Sequence, residues 1–218
     1  MNTEVYDILF RSRKTLLNIL DKKGYDVSMY EKFGPYEIEA MIQNDKKNTL
    51  HMKLIKKKES DKQSTCYVIY RLNRVKQTLN KFVQSFTDSE SEDYIENPEN
   101  SEVIVIVLEP VNNVDAFHNI ALSTYLTHKL KISFFQADNL VNNPADHILV
   151  PKHEIVPVEE IPELKKILNI QSLSNLPLIR FHQDIQLRLL GAIPGDVIKI
   201  TRPSSSSGIV TVYRVCVA

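Results

Sequence analysis

The chain has 218 residues, 43% of them hydrophobic and 25% charged, which suits a globular protein with a true core in one large or two modest domains. Lysine plus arginine equals aspartate plus glutamate at 27 each, so no overall field draws the chain to nucleic acid or to an anionic membrane, and any DNA contact needs a local basic patch. Cys66 and Cys216 lie far apart with no CxxC or Cys/His grouping, which argues against a disulfide framework and a structural zinc site and is consistent with a reducing compartment.

The N-terminal residues mix charged and apolar types without a secretory apolar core, and no apolar run approaches the ~18 residues of a membrane span. The expectation is a soluble, intracellular protein with no membrane partner. Val5, Ile8, Leu9, Leu16, Leu17, Ile19 and Leu20 recur mostly at three- and four-residue intervals, so residues 4–21 are predicted to form an amphipathic helix that stops near Gly24. Residues 36–42 and 49–54 alternate apolar with polar, the pattern of half-buried strands, and the polar stretch 44–48 between them predicts a hairpin.

Residues 66–70 are β-prone, and Leu72, Val75, Leu79, Phe82, Val83 and Phe86 then return to helical spacing. Residues 88–102 are mostly Asp, Glu, Ser and Asn, a composition that reads as an exposed loop. From Val103 to Leu108 every residue is apolar, as in a strand covered on both faces, and Glu109-Pro110 ends it. A helix at about 114–126 and a strand at 132–135 follow. Strands alternating with helices predict an α/β domain with a central mixed sheet over residues 1–143, and Asn142-Asn143-Pro144 is the linker candidate.

Residues 146–218 read as a small α+β domain: a short strand at 147–150, helices near 162–169 and 184–190, and β runs at 196–201 and 209–217. Pro162 fits the first turn of its helix. Asp184 is placed to cap the next helix, and Gly191 to end it in the left-handed conformation. Pro194-Gly195-Asp196 predicts a tight turn, and Arg202-Pro203 a strand end.

The run Leu149-Val150-Pro151-Lys152-His153 together with Asp184, Arg188, Leu190, Gly191, Gly195, Asp196, Val197, Lys199, Ile200, Arg202, Pro203, Ser204, Gly208, Tyr213 and Arg214 resembles the pattern of one family. That family is the small jaw and assembly subunit of multisubunit DNA-directed RNA polymerases, found in archaeal enzymes and, as the fifth shared subunit, in eukaryotic ones. The resemblance covers residues 146–217; the first 145 residues resemble the eukaryotic-type jaw domain in length, order and element type. It implies a noncatalytic polymerase subunit without a cofactor, with an N-terminal jaw domain and a C-terminal assembly domain. The implied partners are the largest polymerase subunit, another small shared subunit and, weakly and without sequence specificity, downstream duplex DNA.

Since archaeal members lack the N-terminal domain, the chain resembles a divergent eukaryotic-type or viral member, placed in the nucleus if cellular and in host cytoplasm or virion if viral. It departs from the family pattern at Ser205-Ser206-Ser207, where Glu-Thr-Ala or Glu-Thr-Ser is usual. Two further departures are Ile185 in place of proline and Ile193-Pro194 in place of Lys-Arg.

Lys152, His153, Arg188, Arg202 and Arg214 are the candidate partner-binding residues. Lys152 and His153 offer directional hydrogen bonds but equally suit a solvated loop, and the Arg202 and Arg214 forks suit either a partner carboxylate or an internal bridge. Arg71, Arg74, Lys76 and Lys81 are the DNA-proximal candidates, with Lys56-Lys57-Lys58 as a second basic group, each weighed against an ordinary solvated face. His118, His128 and His147 have no ligand partner at metal-binding spacing. Two other functions fit the chain less well: an adaptor that binds polymerase without being a core subunit, and a metal-dependent nuclease built on Glu39, His51 and Lys53, which lacks the second acid needed to hold magnesium.

Overall fold

A computed structural model describes residues 3–44, 48–57, 64–91, 93–111 and 115–218, and the chain divides into two compact units, Met1–Asn143 and Pro144–Ala218. Both carry mixed sheets of four strands.

The N-terminal unit opens with α1 (Thr3–Lys22), whose Leu9, Leu16, Leu17 and Leu20 are buried on one stripe. Residues 36–42, read from sequence as the first strand of a hairpin, instead lie in α2 (Pro35–Gln43). The reason lies in the same residues. Ile38 and Ile42, the two buried ones, are four apart and so satisfy a helical stripe as well as an alternation. Pro35 fits a helix's first turn, and Glu37, Glu39, Ala40 and Met41 are helix formers. Of the predicted turn, residues 45–47 lie outside the described residues.

The sheet runs β1 (Met52–Ile55), β2 (Thr65–Arg71), β3 (Ser101–Val107) and β4 (Lys131–Gln136) in spatial order, antiparallel at the first pair and parallel at the other two. Every residue of β3 is buried, and the strand starts two residues earlier than its apolar run, inside the stretch read as an exposed loop. Ser101 and Glu102 are both buried, and Glu102 is accommodated there by receiving the Lys23 ammonium at 2.8 and 3.1 Å and the Tyr25 hydroxyl at 3.4 Å. Parallel neighbours need crossovers, provided by α3 (Leu79–Gln84) between β2 and β3 and by α4 (Asp115–His128) between β3 and β4. Phe117 of α4 lies 5.0 Å from Phe134 of β4, ring centre to ring centre. Only residues 79–84 of the helical pattern that starts at Leu72 are helical. The stretch before them is turned and held by Glu109, whose carboxylate accepts the Val75 and Lys76 amides at 2.6 and 3.1 Å.

In the C-terminal unit the sheet order is β5 (Lys152–Ile155), β7 (Val197–Ser204), β8 (Gly208–Val217) and β6 (Leu178–Arg180). The strand expected at 147–150 is a turn, and the strand begins at Lys152, where an antiparallel partner exists in Thr201. β6, a three-residue strand parallel to β8, has too short a pattern to read from sequence. Pro203 sits within β7 rather than ending it. Pairing with β5 stops at Thr201, so Pro203 lies where β7 is an edge and its missing amide leaves no ladder bond unmade.

The helices are α5 (Ile161–Ile167) and α6 (Ile185–Leu190). Asp184 caps α6 by accepting the Gln186 amide at 2.7 Å, and Gly191 ends it at φ 71°, ψ 31°. Val156, Leu164, Leu176, Val197 and Val215 form a core in this unit, with Ile161, Ile170, Leu173, Tyr213 and Val217 packed against it.

Phe134 is fully buried against α4, so Phe134→Ala should lower stability by about 3–5 kcal/mol. Urea unfolding followed by far-UV circular dichroism checks this, and a loss below about 1 kcal/mol would mean that α4 does not pack on the sheet as described.

Candidate functional site

The motif residues of the C-terminal unit fall into two groups, one on the surface and one inside. On β5, Lys152 is exposed and its ammonium lies 2.7 Å from the Glu154 carboxylate two residues on, on the same side of the strand. The hydrogen bond from Lys152 lowers the Glu154 carboxyl pKa below its ordinary value. His153 is half-buried, and its Nδ1 lies 2.7 Å from the Pro151 carbonyl oxygen, so that nitrogen carries the proton. Arg202 and Arg214 are exposed on β7 and β8. They do not face each other: Arg202 is opposite Val210 and Arg214 opposite Ile198. The Arg214 guanidinium donates to the Leu178 carbonyl at 3.0 Å and so ties β8 to β6.

Arg188 is different. It is 3% exposed, and burial lowers its pKa to about 10, partly offset by the neighbouring Asp184 carboxylate. It stays charged at neutral pH, and its place is inside the unit rather than on its surface. Beside it, the tight turn expected at Pro194-Gly195-Asp196 is fixed at three points. The Asp196 carboxylate accepts the Ile193 amide at 2.9 Å, Gly195 donates to the Cys216 carbonyl at 2.9 Å, and Cys216 donates to the Asp196 carbonyl at 2.8 Å. Gly195 has φ 101°, a conformation that side chains rarely adopt.

In the N-terminal unit, Arg71, Arg74 and Lys81 line one cleft of about 430 Å³ with Asn48, Asn73, Ser85 and Asp93. Lys76 lies in the adjoining groove with Arg74, Glu109 and Pro110. Arg74, Lys76 and Lys81 are exposed. Arg71 is already engaged: its guanidinium donates to Asp93 at 3.1 Å and covers the Phe82 ring at 4.7 Å from the centroid. The cleft therefore offers Arg74 and Lys81 as its accessible charges, with Arg71 as a wall. Sequence reading missed the two carboxylates that organise this region, Asp93 and Glu109. Asp93 is hidden in an acidic stretch, while Glu109 was legible as the residue ending the apolar run.

The second basic group is spread out. Lys56 covers the Tyr25 ring at 5.8 Å, Lys57 is paired with Asp21, and Lys58 lies outside the described residues. The nuclease arrangement loses its strand: Glu39 stands on α2, while His51 Nε2 lies 3.3 Å from the Tyr70 carbonyl oxygen and Lys53 covers the Tyr67 ring at 5.4 Å. Among the described residues, no group of three or more His, Cys, Asp and Glu is placed to hold a metal ion.

Residues 142–216 match the family model described as RNA polymerase Rpb5, C-terminal domain. A relative named DNA-directed RNA polymerase subunit Rpo5, from Sulfurisphaera tokodaii, is 49% identical over 72 residues, 33% of this chain and 83% of that protein. The chain belongs to the Rpb5/Rpo5 family. The Rpo5 subunit of Archaeoglobus fulgidus is 47% identical over 72 residues, 92% of its length. A protein of Dictyostelium discoideum named DNA-directed RNA polymerases I, II, and III subunit rpabc1 is 29% identical over 212 residues, 96% of this chain and 97% of that protein. The family likeness thus has a short strong form confined to one third of the chain and a longer, weaker form that runs through both units.

Neither thiol of this Rpb5-family chain is available for chemistry at neutral pH. Burial pushes the Cys216 thiol up to about 12, with the Asp196 charge adding to it, and burial also raises Cys66 well above its usual range, with Glu102 adding. Both thiols are protonated in the folded state, so stability is intact below the ordinary thiol value near 9. It is lost as pH rises from there toward 12, because the unfolded chain releases protons that the native chain holds. The urea midpoint should therefore fall between pH 9 and 11, with a shallower fall in Cys216→Ala, and native protein at pH 8 should leave a thiol reagent unreacted. Rapid labelling of two thiols per native chain would contradict the burial described.

Proposed function

We propose that the chain joins a multisubunit RNA polymerase through its C-terminal unit, docking on the largest subunit near another small subunit, and places its N-terminal unit beside downstream duplex DNA. As a member of the Rpb5/Rpo5 family it is a noncatalytic subunit of DNA-directed RNA polymerase and part of the transcription machinery. The observation that carries the docking reading is the length of the archaeal relatives. A stretch of 72 residues accounts for 83% and 92% of two of them, which favours an attachment to polymerase through the counterpart of residues 142–216. Lys152, Arg202 and Arg214 supply exposed polar groups for that contact and His153 a half-buried one, while Arg188 supports the unit from within.

The DNA reading rests on Arg74, Lys76 and Lys81. Three exposed cations around neighbouring clefts suit phosphates, and the absence of overall charge leaves this contact short-ranged and salt-sensitive. Integral membership is favoured over an adaptor by the relative that matches along both units and carries a subunit name.

Affinity purification of the tagged full-length chain should recover the two largest polymerase subunits in stoichiometric amounts at high salt, and deletion of residues 144–218 should abolish that recovery. Undiminished recovery by the shortened chain would overturn the docking reading, and substoichiometric, salt-labile recovery by the full chain would favour the adaptor. Arg74→Ala combined with Lys81→Ala should leave assembly unchanged and reduce the log–log salt slope of DNA retention by about 1–2. A salt slope equal to that of the unaltered complex would remove these residues from the DNA path.

A further inference from the structure

Arg13 of α1 is a buried cation that has no ion-pair partner among the described residues. It is 3% exposed and donates to the Leu50 carbonyl at 2.8 Å, while its Nε and the hydroxyl of the neighbouring Tyr70 have no hydrogen-bond partner. The Tyr30 and Tyr70 rings lie 5.9 and 5.7 Å from the guanidinium, close to the ~6 Å limit at which a ring face still attracts a cation. A charge buried with so little compensation is costly. Arg13 also lines a cavity of about 450 Å³ in the N-terminal unit, a volume within the range of small-molecule sites. A guanidinium in such a wall is suited to hold a carboxylate through two parallel N–H bonds.

The other walls narrow the chemistry. Phe10 and Leu17 share one face of α1 with Arg13 at three- and four-residue spacing, and Tyr30 and Phe33 come from the connection between α1 and α2. The Tyr30 hydroxyl donates to the Lys53 carbonyl at 3.3 Å and accepts the Lys53 amide at 3.1 Å, so that wall is fixed to β1 before any ligand arrives. Lys14, Asp21 and Glu31 complete the charges of the lining, and Asp21 is already neutralised by Lys57. Arg13 and Lys14 against Glu31 leave a local charge of about +1, which suits a monoanion and disfavours a phosphate dianion. We propose that this cavity binds a small monocarboxylate with a flat apolar body, its carboxylate on Arg13 and Lys14 and its body against the aromatic walls.

Indole-3-acetate is the probe, because the chain has no tryptophan and the indole emission of the ligand is read without interference. Titrated into the full-length chain it should bind saturably at one site, and its neutral counterpart indole-3-acetamide should bind about tenfold more weakly or worse. Lys14→Gln should weaken the acetate by about threefold or more, and Glu31→Gln should tighten it by a similar factor. Both positions are exposed, so each variant should keep its melting temperature within about 2 °C, and the opposite signs separate ligand charge from damage to the fold. Arg13→Lys keeps the charge without the fork and should also weaken binding; where it costs stability, the two exposed variants carry the decision. Equal affinity for acetate and acetamide, or affinities that neither exposed variant moves, would overturn the site. So would the absence of saturable binding below about 10 mM, which would leave Arg13 a purely structural residue. Displacement of the acetate by inorganic phosphate at equal concentration would make the ligand a phosphate and the proposal wrong.

Discussion

The antiparallel ladder between β7 and β8 is the constraint on which the C-terminal unit depends. Its register runs from Val197 opposite Val215 to Ser204 opposite Gly208, and both other strands of the sheet attach to it, β5 to β7 and β6 to β8. The ladder's register is fixed near one end by the turn in which Asp196 and Gly195 bond to Ile193 and Cys216, and at the other by the turn at Ser205–Ser207. Slipping it by one residue would turn Val197 and Val215 out of the core and carry β5 and β6 with them. The exposed polar groups of the family motif, on β5, β7 and β8, therefore hold their relative positions through one hairpin.

The N-terminal unit is organised by a different constraint, the complete burial of β3. Parallel pairing with β2 and β4 requires helical crossovers, and the turn that leads into the first of them is held by Glu109, just beyond the end of β3. That carboxylate fixes the backbone at Val75 and Lys76, and so positions the segment that presents Arg74 and Lys76. Asp93 then fixes Arg71 against Phe82. The placement of the basic side chains around these clefts thus depends on two acids, and Arg74, Lys76 and Lys81 are the cations left accessible there.

Much of this was legible in sequence where local and tertiary preferences agree. The Asp184 cap, the Gly191 stop, the Gly195 turn and the apolar run of β3 each have one physical reading, and each takes that form. The failures have identifiable causes. Residues 36–42 satisfy two periodicities, because Ile38 and Ile42 are separated by a whole number of strand repeats and by about one helical turn, and Pro35 is the signal that should have decided between them. Residues 147–150 look like a strand because Ile148, Leu149 and Val150 are apolar, yet Ile148 and Leu149 are exposed; nothing local separates an apolar run that a sheet buries from one that the unit leaves facing outward. Arg188 is charged, and charge argues for the surface, whereas its helix packs it inside beside Asp184. The burial of Glu102 depends on Lys23 and Tyr25, some eighty residues earlier, which no window of sequence brings together.

In the proposed division of labour the last third of the chain attaches to polymerase, and the first two thirds form a separate unit whose exposed cations face nucleic acid. Site-specific photo-crosslinking in the assembled polymerase tests this division directly, with the reactive group placed at Leu178 or Ile209 in the C-terminal unit and at Tyr36 in the N-terminal unit, all of them exposed apolar positions. The expected result is crosslinks to the largest polymerase subunit from one or both C-terminal positions. Crosslinks to that subunit from Tyr36 alone, with both C-terminal positions reacting only with solvent, would contradict it.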